Sequence, residues 1–378
     1  MTQDKKKIKI CYIFPSALPS KNASSLQTAK MADALSSKAE LIIFLPNTGY
    51  RNISIKKFYN LKNKLNVFRL SKFKEFPLGF NYYLFSIISI IKSIKFKPNF
   101  YITRIFIVSF FLTILKKKHI LEIHNDMNVE GRVVKFIFKR LNFFNSKYLI
   151  KIITTTNSLK LHYIKHYNVN ENKINILPNG SSINKFYLSY KKKILNVGYF
   201  GSIYKSRGLD KICYLARFYK NLNFYVYGGE KEEVFKLKQK FKNRNIHFHS
   251  YVNQKILEKR IFEMDILLLP YTNKITVAGD VGNIFDYTSP LKMFDYLASG
   301  KIIIASEIEV LKEVLKDKKN CFFVKNYLNK NAWRLKLNQI LVSDTKRIIV
   351  SNNAFNDSKK FTTKIRAKKF ISFFENQI

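Results

Sequence analysis

Short apolar segments alternate along the chain with amphipathic stretches, and this alternation predicts a parallel sheet covered by helices. A helix is expected over "SSLQTAKMADALSS" (24–37), because Leu26, Ala29 and Ala32 recur at roughly helical spacing. Strands that alternate with helices form βαβ units, whose sheets carry helices on both faces. The strands predicted in this first set are "KIKICYIF" (7–14), "ELIIFLP" (40–46), "NFYITRI" (99–105), "HILEIH" (119–124) and "LIKIITTT" (149–156).

The turn-rich segment "INILPNGSSINKF" (174–186) interrupts this pattern before a second set of strands begins. We therefore predict two α/β domains, residues 1–187 and 188–356, followed by one basic amphipathic helix over residues 357–378. The strands of the second set are predicted over "ILNVGYFG" (194–201), "NFYVYGG" (223–229), "NIHFHSY" (245–251), "DILLLPY" (265–271), "KIIIAS" (301–306) and "CFFV" (321–324).

The net charge of the chain is strongly positive, since 68 Lys and Arg residues stand against 25 Asp and Glu residues, which gives +43. Such an excess attracts nucleic acid, an anionic membrane face or phosphorylated substrates. The abundance of Lys, Asn, Ile and Phe is also what an AT-rich genome produces, so both explanations stay open. Because aromatic and basic residues form no recognised nucleic-acid module, we expect no nucleic-acid partner.

The cysteines and the apolar runs indicate a cytoplasmic protein. Cys11, Cys213 and Cys321 lack paired spacing, which argues for a reducing compartment and against disulfides or a cysteine zinc site. The basic N-terminus continues as a strand, so no signal peptide is predicted. The runs "YYLFSIISII" (82–91) and "FIVSFFLTIL" (106–115) are shorter than the about 20 residues of a spanning helix. We expect them to be buried elements of the α/β core.

A glycine-rich turn follows the first strand of the second set, in "VGYFGSIYKSRGLDKI" (197–212). Gly201 lies at the end of the strand, and Gly208 opens a helix directly after Lys205 and Arg207. Glycines allow a ligand to approach the backbone closely, and a helix N-terminus with two nearby cations favours anions. The pattern fits a diphosphate site, and equally an ordinary βα turn with surface cations.

The segment "SPLKMFDYLASGKIIIAS" (289–306) predicts a helix that leads into a buried strand. Ser289 can cap a helix whose first residue is Pro290. In that helix Lys292 is placed to reach a phosphate, and Asp295 to accept hydrogen bonds from ribose hydroxyls. The alternative is a Lys–Asp pair on a solvated helix face.

These motifs together resemble the family 4 glycosyltransferases, which are retaining, nucleotide-sugar-dependent enzymes of the GT-B fold. The resemblance implies two Rossmann-like, doubly wound parallel-sheet domains that face a central cleft, with the C-terminal helix returning to the first domain. It covers most of the chain and rests on "GSIYKSRGLDKI" (201–212), "DILLLPY" (265–271), "ILPNGSSINKF" (176–186) and the 289–306 segment, with "FPSALPSKNASSLQTAKMADALS" (14–36) and "ILEIHNDMN" (120–128) similar to first-domain loops.

The resemblance assigns donor contacts in the second domain, with two departures from the family's pattern. Ser202 stands where the family places an Arg, whereas Arg207 stands where it places a Lys, and Lys205 is a candidate to compensate. The second residue of the family's acidic pair matches Asp295. Its first position holds Tyr287, and the adjacent acid is Asp286. The full set of expected donor-binding residues is Gly201, Ser202, Lys205, Arg207, Asp286, Ser289, Pro290, Leu291, Lys292 and Asp295.

The resemblance also implies first-domain residues that line the cleft near the transferred sugar. His124 is the expected catalytic residue, with Asp126 orienting it and Glu122 held on the strand. The expected acceptor or cleft residues are Asn22, Ser24 and Arg104.

The sequence favours transfer without a metal or cofactor. It contains no Asp-x-Asp motif, and His247 and His249, which share one face of a strand, have no evident third ligand. The leaving diphosphate would then be stabilised by cations and helix N-termini. The acceptor hydroxyl would attack from the same face, so the anomeric configuration would be retained, as the resemblance implies.

The basic amphipathic segment "GRVVKFIFKRLNFFNSKYLIK" (131–151) suits an anionic membrane surface or, equally, a core-facing helix with a lysine-rich exterior. We expect a hexosyltransferase that uses a UDP- or GDP-linked sugar and a saccharide or lipid-linked saccharide acceptor in capsule or lipopolysaccharide synthesis, peripheral at the inner membrane face. The alternatives are an inverting GT-B transferase, a nucleotide-sugar epimerase, or a non-catalytic basic membrane- or nucleic-acid-binding protein.

Overall fold

The computed structural model describes residues 7–47, 53–71, 78–127, 132–181, 183, 194–276 and 282–377. The chain forms two compact units, one made of residues 1–178 and 363–378 and the other of residues 179–362. Within the described residues each unit is built on one parallel sheet with helices on both faces. The predicted α/β class with two Rossmann-like domains is therefore confirmed.

The first unit has a seven-stranded sheet in the order β3-β2-β1-β4-β5-β6-β7, counted over the described residues. Its strands are β1 (Lys9–Ile13), β2 (Glu40–Pro46), β3 (Asn66–Leu70), β4 (Phe100–Thr103), β5 (His119–Ile123), β6 (Leu149–Thr154) and β7 (Ile174–Ile176). Its helices are α1 (Ala23–Ser36), α2 (Ile55–Tyr59), α3 (Leu78–Ile94), α4 (Phe106–Ile114), α5 (Arg132–Arg140) and α6 (Asn157–Tyr167), with α13 (Thr363–Glu375) from the end of the chain.

Successive side chains of β1 point to opposite faces of this sheet, as the period of a strand requires. Tyr12 packs in the core that α1 and α13 cover. Cys11 and Ile13 pack in the core on the other face, which contains residues of α3 and α4. Both faces are therefore buried, which explains why the strands read as nearly continuous apolar runs.

The second unit has a six-stranded sheet in the order β10-β9-β8-β11-β12-β13, again counted over the part that the structure describes. Its strands are β8 (Asn196–Phe200), β9 (Asn223–Tyr227), β10 (Ile246–His249), β11 (Ile266–Leu269), β12 (Ile302–Ser306) and β13 (Phe322–Val324). Its helices are α7 (Leu209–Phe218), α8 (Lys231–Lys240), α9 (Gln254–Glu263), α10 (Leu291–Ser299), α11 (Lys330–Leu341) and α12 (Asp344–Ser358).

Two segments predicted as single helices are shorter in the structure. In 357–378, α12 ends at Ser358 and α13 begins at Thr363, because a turn in which the Phe361 N–H donates to the Ser358 carbonyl (2.8 Å) intervenes. In 131–151, α5 ends at Arg140, since Asn142 adopts a left-handed backbone with φ 46°, and β6 takes over at Leu149.

The apolar run 82–91 differs from its prediction as a buried element. It lies in α3, where Ser86 and Ser89 are buried while Tyr83, Ile87 and Ile91 are exposed. Every helix within the described ranges is too short or too polar to cross a bilayer.

Candidate functional site

The described site residues form two clusters, one in each unit, at the carboxyl ends of strands. In the first unit β5 ends at Ile123, so that Glu122 is its last but one residue and His124 follows it directly. In the second unit β8 ends at Phe200 and the glycine turn begins at Gly201. Ligands of parallel sheets bind at these strand ends, so the clusters lie where the fold favours a site.

Glu122 is the centre of the first-unit cluster, and its side chain is fully buried. Its Oε1 accepts hydrogen bonds from Arg104 Nη2 (2.9 Å), Arg366 Nη2 (2.8 Å) and His124 Nε2 (2.7 Å). Gln27 Nε2 donates to the same oxygen at 3.2 Å. Burial alone would raise the pKa of Glu122, but the two guanidiniums and the His124 hydrogen bond hold it well below its ordinary value.

The two arginines of this cluster are themselves buried, with side chains 8% and 4% exposed for Arg104 and Arg366. Arg104 also donates to Gln27 Oε1, and Arg366 donates to the carbonyls of Leu177 and Pro178. Two guanidiniums against one carboxylate leave an excess positive charge in the cluster. The structure therefore places Arg104, predicted as a cleft residue, in a buried ion-pair network.

His124 is a neutral imidazole at neutral pH, because burial first and the charge of Arg104 second lower its pKa to about 4. Its side chain is 27% exposed. Since the ionised Glu122 can only accept, the Nε2 that contacts it carries the proton and Nδ1 is an acceptor. The cluster thus offers an imidazole with a fixed tautomer at the end of β5.

The contacts of Asp126 differ from its predicted role of orienting His124. Asp126 Oδ1 accepts a hydrogen bond from Tyr167 and lies 3.3 Å from His162 Nε2, both on α6. The acid that contacts His124 in the described hydrogen bonds is Glu122, two residues earlier in the chain. Sequence reasoning placed Glu122 passively on the strand and missed Arg366 altogether.

Asn22 and Ser24 lie at the start of α1, both exposed. Asn22 is the N-cap of this helix by backbone conformation, and its side chain makes no capping hydrogen bond. The preceding loop is fixed by Ser20, whose carbonyl accepts from the Tyr59 hydroxyl at 2.8 Å. The two predicted side chains are therefore presented to solvent at a helix N-terminus.

In the second unit, two glycines of the β8–α7 turn have backbone conformations that residues with a side chain adopt only with strain. Gly201 has φ +137°, and a Cβ there would lie 2.5 Å from Lys292 Nζ. Gly208 has φ +69°, and a Cβ there would lie 1.6 Å from the carbonyl oxygen of Pro270. Gly208 is thus required for the turn itself, whereas Gly201 leaves room for the lysine side chain.

Arg207 lies across this turn and is held by two hydrogen bonds. Its Nε donates to Ser202 Oγ (3.2 Å), and its Nη2 donates to the Thr276 carbonyl (2.5 Å). Its guanidinium carbon is also 5.4 Å from the ring centroid of Tyr271. Ser202 and Arg207, both predicted as donor-binding residues, are therefore in direct contact, while Lys205 is exposed on the same short helical turn as Arg207.

Lys292 is a buried ammonium without a hydrogen-bonding partner in the described structure. Its Nζ lies 3.9 Å from the ring centroid of Tyr199 and 5.7 Å from that of Tyr271. Burial and then the charge of Arg207 lower its pKa well below the ordinary value for lysine. A cation that is desolvated and lacks an acceptor is unfavourable unless an anion completes the site.

The helix that carries Lys292 begins one residue later than predicted. α10 starts at Leu291, and Pro290 is its N-cap with an extended ψ of 129°. No side chain caps α10. Ser289 instead accepts, through its carbonyl, a hydrogen bond from Asn179 Nδ2 (2.8 Å). The first N–H groups of a helix have no intrahelical acceptors, so this uncapped end suits an anion.

The acidic residues around α10 have unlike surroundings. Asp295 Oδ1 accepts a hydrogen bond from Ser181 Oγ at 2.7 Å, so it contacts the turn that precedes the second set of strands. Asp286 lies in a short helical turn, Phe285–Tyr287, and its side chain is exposed. Both are near the start of α10 in sequence, but Asp295 is the one already fixed by a partner.

The two histidines of β10 stack on tyrosines of the neighbouring strand. The ring of His249 lies 4.4 Å from that of Tyr227, and the ring of His247 lies 4.9 Å from that of Tyr225. Among the residues that the structure describes, no three His, Cys, Asp or Glu side chains are grouped to hold a metal ion.

Comparison with known families identifies the second half of the chain. Residues 184–357 match the model of the family described as Glycosyl transferases group 1. This match covers the β8–α7 turn, Lys292 and all of α10. No curated protein sequence matches the chain significantly.

Solved structures share the fold over nearly the whole chain. Sucrose-phosphate synthase from Thermosynechococcus elongatus superposes with a TM-score of 0.73 at 12% identity, covering 98% of this chain and 99% of that chain. HepE from Anabaena in complex with UDP superposes with a TM-score of 0.72 at 12% identity, covering 98% of this chain and 100% of that chain. WaaG, a glycosyltransferase involved in lipopolysaccharide biosynthesis, superposes with a TM-score of 0.66 at 13% identity, covering 97% of this chain and 99% of that chain. This chain therefore has the GT-B fold of such enzymes.

Proposed function

We propose, from the match of residues 184–357 to the Glycosyl transferases group 1 model, that the chain is a retaining glycosyltransferase. It moves a sugar from a nucleoside diphosphate donor to a hydroxyl of a saccharide or lipid-linked saccharide. The bond between the anomeric carbon and the diphosphate breaks, and a bond to the acceptor oxygen forms on the same face of the sugar.

The observation that carries this proposal is the buried Lys292 ammonium, which has no partner in the described structure. It lies beside Gly201 and shares the ring of Tyr271 with Arg207. Two cations, a glycine backbone and an uncapped helix start together suit a diphosphate, which carries several acceptor oxygens and more than one negative charge. In the transfer step they stabilise the leaving group without a metal ion.

The first-unit cluster supplies a second part of the proposed chemistry. His124 is neutral and its tautomer is fixed by Glu122. We propose that His124 Nδ1 and the excess positive charge of the Arg104–Arg366 pair interact with the sugar being transferred. Asn22 and Ser24, which are exposed at the start of α1, are assigned to the acceptor.

Similarity to solved proteins supports a proposal for the donor and the pathway. HepE binds UDP in its structure, and WaaG is named for lipopolysaccharide biosynthesis. We therefore propose a UDP-linked donor before a GDP-linked one, and a role in bacterial surface polysaccharide synthesis at the inner face of the cytoplasmic membrane.

Titration calorimetry with UDP, GDP and their sugar conjugates tests the donor site. Lys292→Met and Arg207→Met are each expected to weaken binding of the preferred nucleoside diphosphate by about tenfold or more, since each removes a charge-assisted contact. Lys220→Met, at an exposed lysine of the same unit, is the matched control and leaves affinity unchanged. Equal affinity in all three variants contradicts the assignment.

The stereochemistry and metal dependence are tested on the product. Nuclear magnetic resonance of the transferred sugar is expected to show the donor's anomeric configuration, and a chelator is expected to leave the rate unchanged. An inverted product would point to an inverting transferase, and release of an epimerised nucleotide sugar to an epimerase. No donor binding at all would favour a non-catalytic protein.

A further inference from the structure

Helix α3 is apolar on both faces, because Ile90 and three serines are buried on its inner face while large apolar residues are exposed on its outer face, where a surface helix ordinarily has polar residues. Ser86, Ser89 and Ser93 are fully buried. The outward residues are Phe80 (50% exposed), Tyr83 (40%), Ile87 (41%), Ile91 (59%) and Ile94 (43%). Their spacing of three or four residues places all five on one stripe of the helix. We call this stripe the α3 outer face.

The buried serines explain why this arrangement is stable. Ser86 Oγ donates to the Tyr82 carbonyl (2.8 Å), Ser89 Oγ to the Ser86 carbonyl (2.8 Å) and Ser93 Oγ to the Ile90 carbonyl (2.6 Å). Each hydroxyl is satisfied within its own helix, so it can face the sheet without a desolvation penalty. The inner face of α3 thus packs stably against the sheet, and this packing determines which residues form the outer face.

The neighbouring helix extends the apolar area. α4 packs against α3 and ends with Ile114, which is 56% exposed, followed by Leu115 at 45%. Phe96, just after the end of α3, is 40% exposed. Several exposed apolar side chains on two helices that pack together are a candidate interaction site.

The chain segment that carries the α3 outer face contains charges of one sign only. The sequence has no Asp or Glu between Phe76 and Leu121. The exposed residues at the ends of the two helices are Lys92, Lys95, Lys97, Lys116, Lys117 and Lys118. Apolar side chains fringed by lysines match the boundary of an anionic bilayer, where acyl chains lie beneath phosphate groups.

We propose that the α3 outer face lies flat on an anionic lipid bilayer, with Ile87 and Ile91 inserted at the level of the acyl chain boundary. α3 has 17 residues, and no helix of the described chain is long and apolar enough to span, so the contact is interfacial. A second copy of the chain is a poorer partner, because it would bring the same lysines against these in a protein of net charge +43. The inference names a surface that the proposed transfer reaction does not itself require.

Flotation with vesicles of phosphatidylcholine, with and without phosphatidylglycerol, tests this surface. The native chain is expected to float only with phosphatidylglycerol, and Ile87→Ser/Ile91→Ser to reduce the bound fraction by about tenfold, since both apolar insertions are lost. Leu335→Ser/Val342→Ser, at two exposed apolar positions of the second unit, is the matched control and floats like the native chain. Nucleoside diphosphate binding by the same proteins separates this result from failure of the proposed function.

A labelled thiol keeps the test independent of folding losses. The native cysteines Cys11, Cys213 and Cys321 are buried, so an environment-sensitive dye on Ile91→Cys reports that position alone. Its emission is expected to shift to the blue with anionic vesicles, whereas the dye on Val342→Cys does not shift.

Three outcomes would overturn the proposal. The first is native protein that ignores anionic vesicles. The second is a serine variant that floats normally, or that loses a solution dimer instead of vesicle binding. The third is loss of flotation caused by Phe136→Ser on α5 but not by the α3 variant, which would transfer the role to the exposed apolar residues of α5.

Discussion

At the scale of single residues, two buried charges have opposite surroundings. Glu122 accepts hydrogen bonds from two arginines, a histidine and a glutamine. The side-chain amine of Lys292 contacts aromatic rings and has no hydrogen-bonding partner in the described structure. The first group is complete in the free protein and holds its neighbours in place. In the proposed function, a bound anion completes the second.

Anion binding at Lys292 is therefore expected to take up a proton. Burial and Arg207 lower the lysine pKa in the free protein, and a bound diphosphate raises it again. In the pH range between the two values, affinity falls as pH rises, by up to about tenfold per pH unit. Calorimetry in buffers of different ionisation enthalpy measures this uptake. Lys292→Met is the control, and the same uptake in that variant would contradict the assignment.

Replacing Glu122 by glutamine is expected to destabilise the first unit by about 3–5 kcal/mol, because two buried guanidiniums lose their counter-charge. Urea denaturation measures the change. Glu171→Gln, which breaks an exposed pair with Lys160, is the matched control and is expected to have little effect. Equal effects of the two substitutions would show that the buried network contributes no more than a surface pair.

The histidines of the first unit make the fold sensitive to acid. Burial lowers the pKa of both His119 and His124 to about 4. Since their unfolded values are about 6.5, the unfolded chain binds more protons between these values, and stability falls as pH drops through this range. Each histidine lowers the free energy of unfolding by up to about 1.4 kcal/mol for each unit by which the pH drops in this range. Thermal unfolding measured from about pH 7 to about pH 4.5 is expected to show this loss of stability. In His119→Asn, stability is expected to fall less steeply as the pH drops.

At the scale of elements, the sequence predicts local patterns better than the directions that helices face. The glycine turn and the α10 segment were recognised because their residues are close in the chain. The start of α10 was misplaced by one residue, since Pro290 adopts an extended ψ and serves as the cap. The exposed stripe of α3 was missed, because apolar runs read as buried unless the serines between them are known to bond within the helix.

The terminal helix α13 gives an element-scale prediction. Phe374 is fully buried and stacks on Phe100 of β4, with ring centroids 4.5 Å apart. Phe374→Ala is expected to cost about 3–5 kcal/mol of unfolding free energy, since it leaves a cavity in the core. The adjacent, partly buried Phe373→Ala should cost much less, and denaturant titration compares them. A larger loss at Phe373 would mean that α13 is rotated relative to this description.

At the scale of the whole molecule, two α/β units could be predicted from the repeated strand–helix rhythm, which is set by local hydrophobicity. The Glu122–Arg366 contact could not, because its partners are separated by 244 positions and Arg366 belongs to no recognised motif. Asp126 was preferred to Glu122 as the orienting acid, since alternation along β5 indicates a face but not the partners on it. Long-range ion pairs depend on how the helices return to the sheet.

The second unit is one continuous stretch of chain, whereas the first is made of two segments that flank it in sequence. A fragment of residues 179–362 is therefore expected to fold alone and to bind the preferred nucleoside diphosphate. A fragment of residues 1–178 lacks α13, which packs on α1 and fills the core beside β1. It is expected to show no cooperative unfolding by circular dichroism until a peptide of residues 363–378 is added. Cooperative unfolding without the peptide would contradict this.

The position of Arg366 in the chain also sets the order in which the ribosome synthesises the parts of the Glu122 cluster. The residue that completes the Glu122 cluster is synthesised only after the whole second unit. At ribosomal speeds this leaves residues 1–178 without their last helix for roughly ten seconds or more. During that time the sheet face that α13 later covers is open to chaperones. We therefore expect the second unit to fold first in the cell, and the first-made half of the chain to fold last.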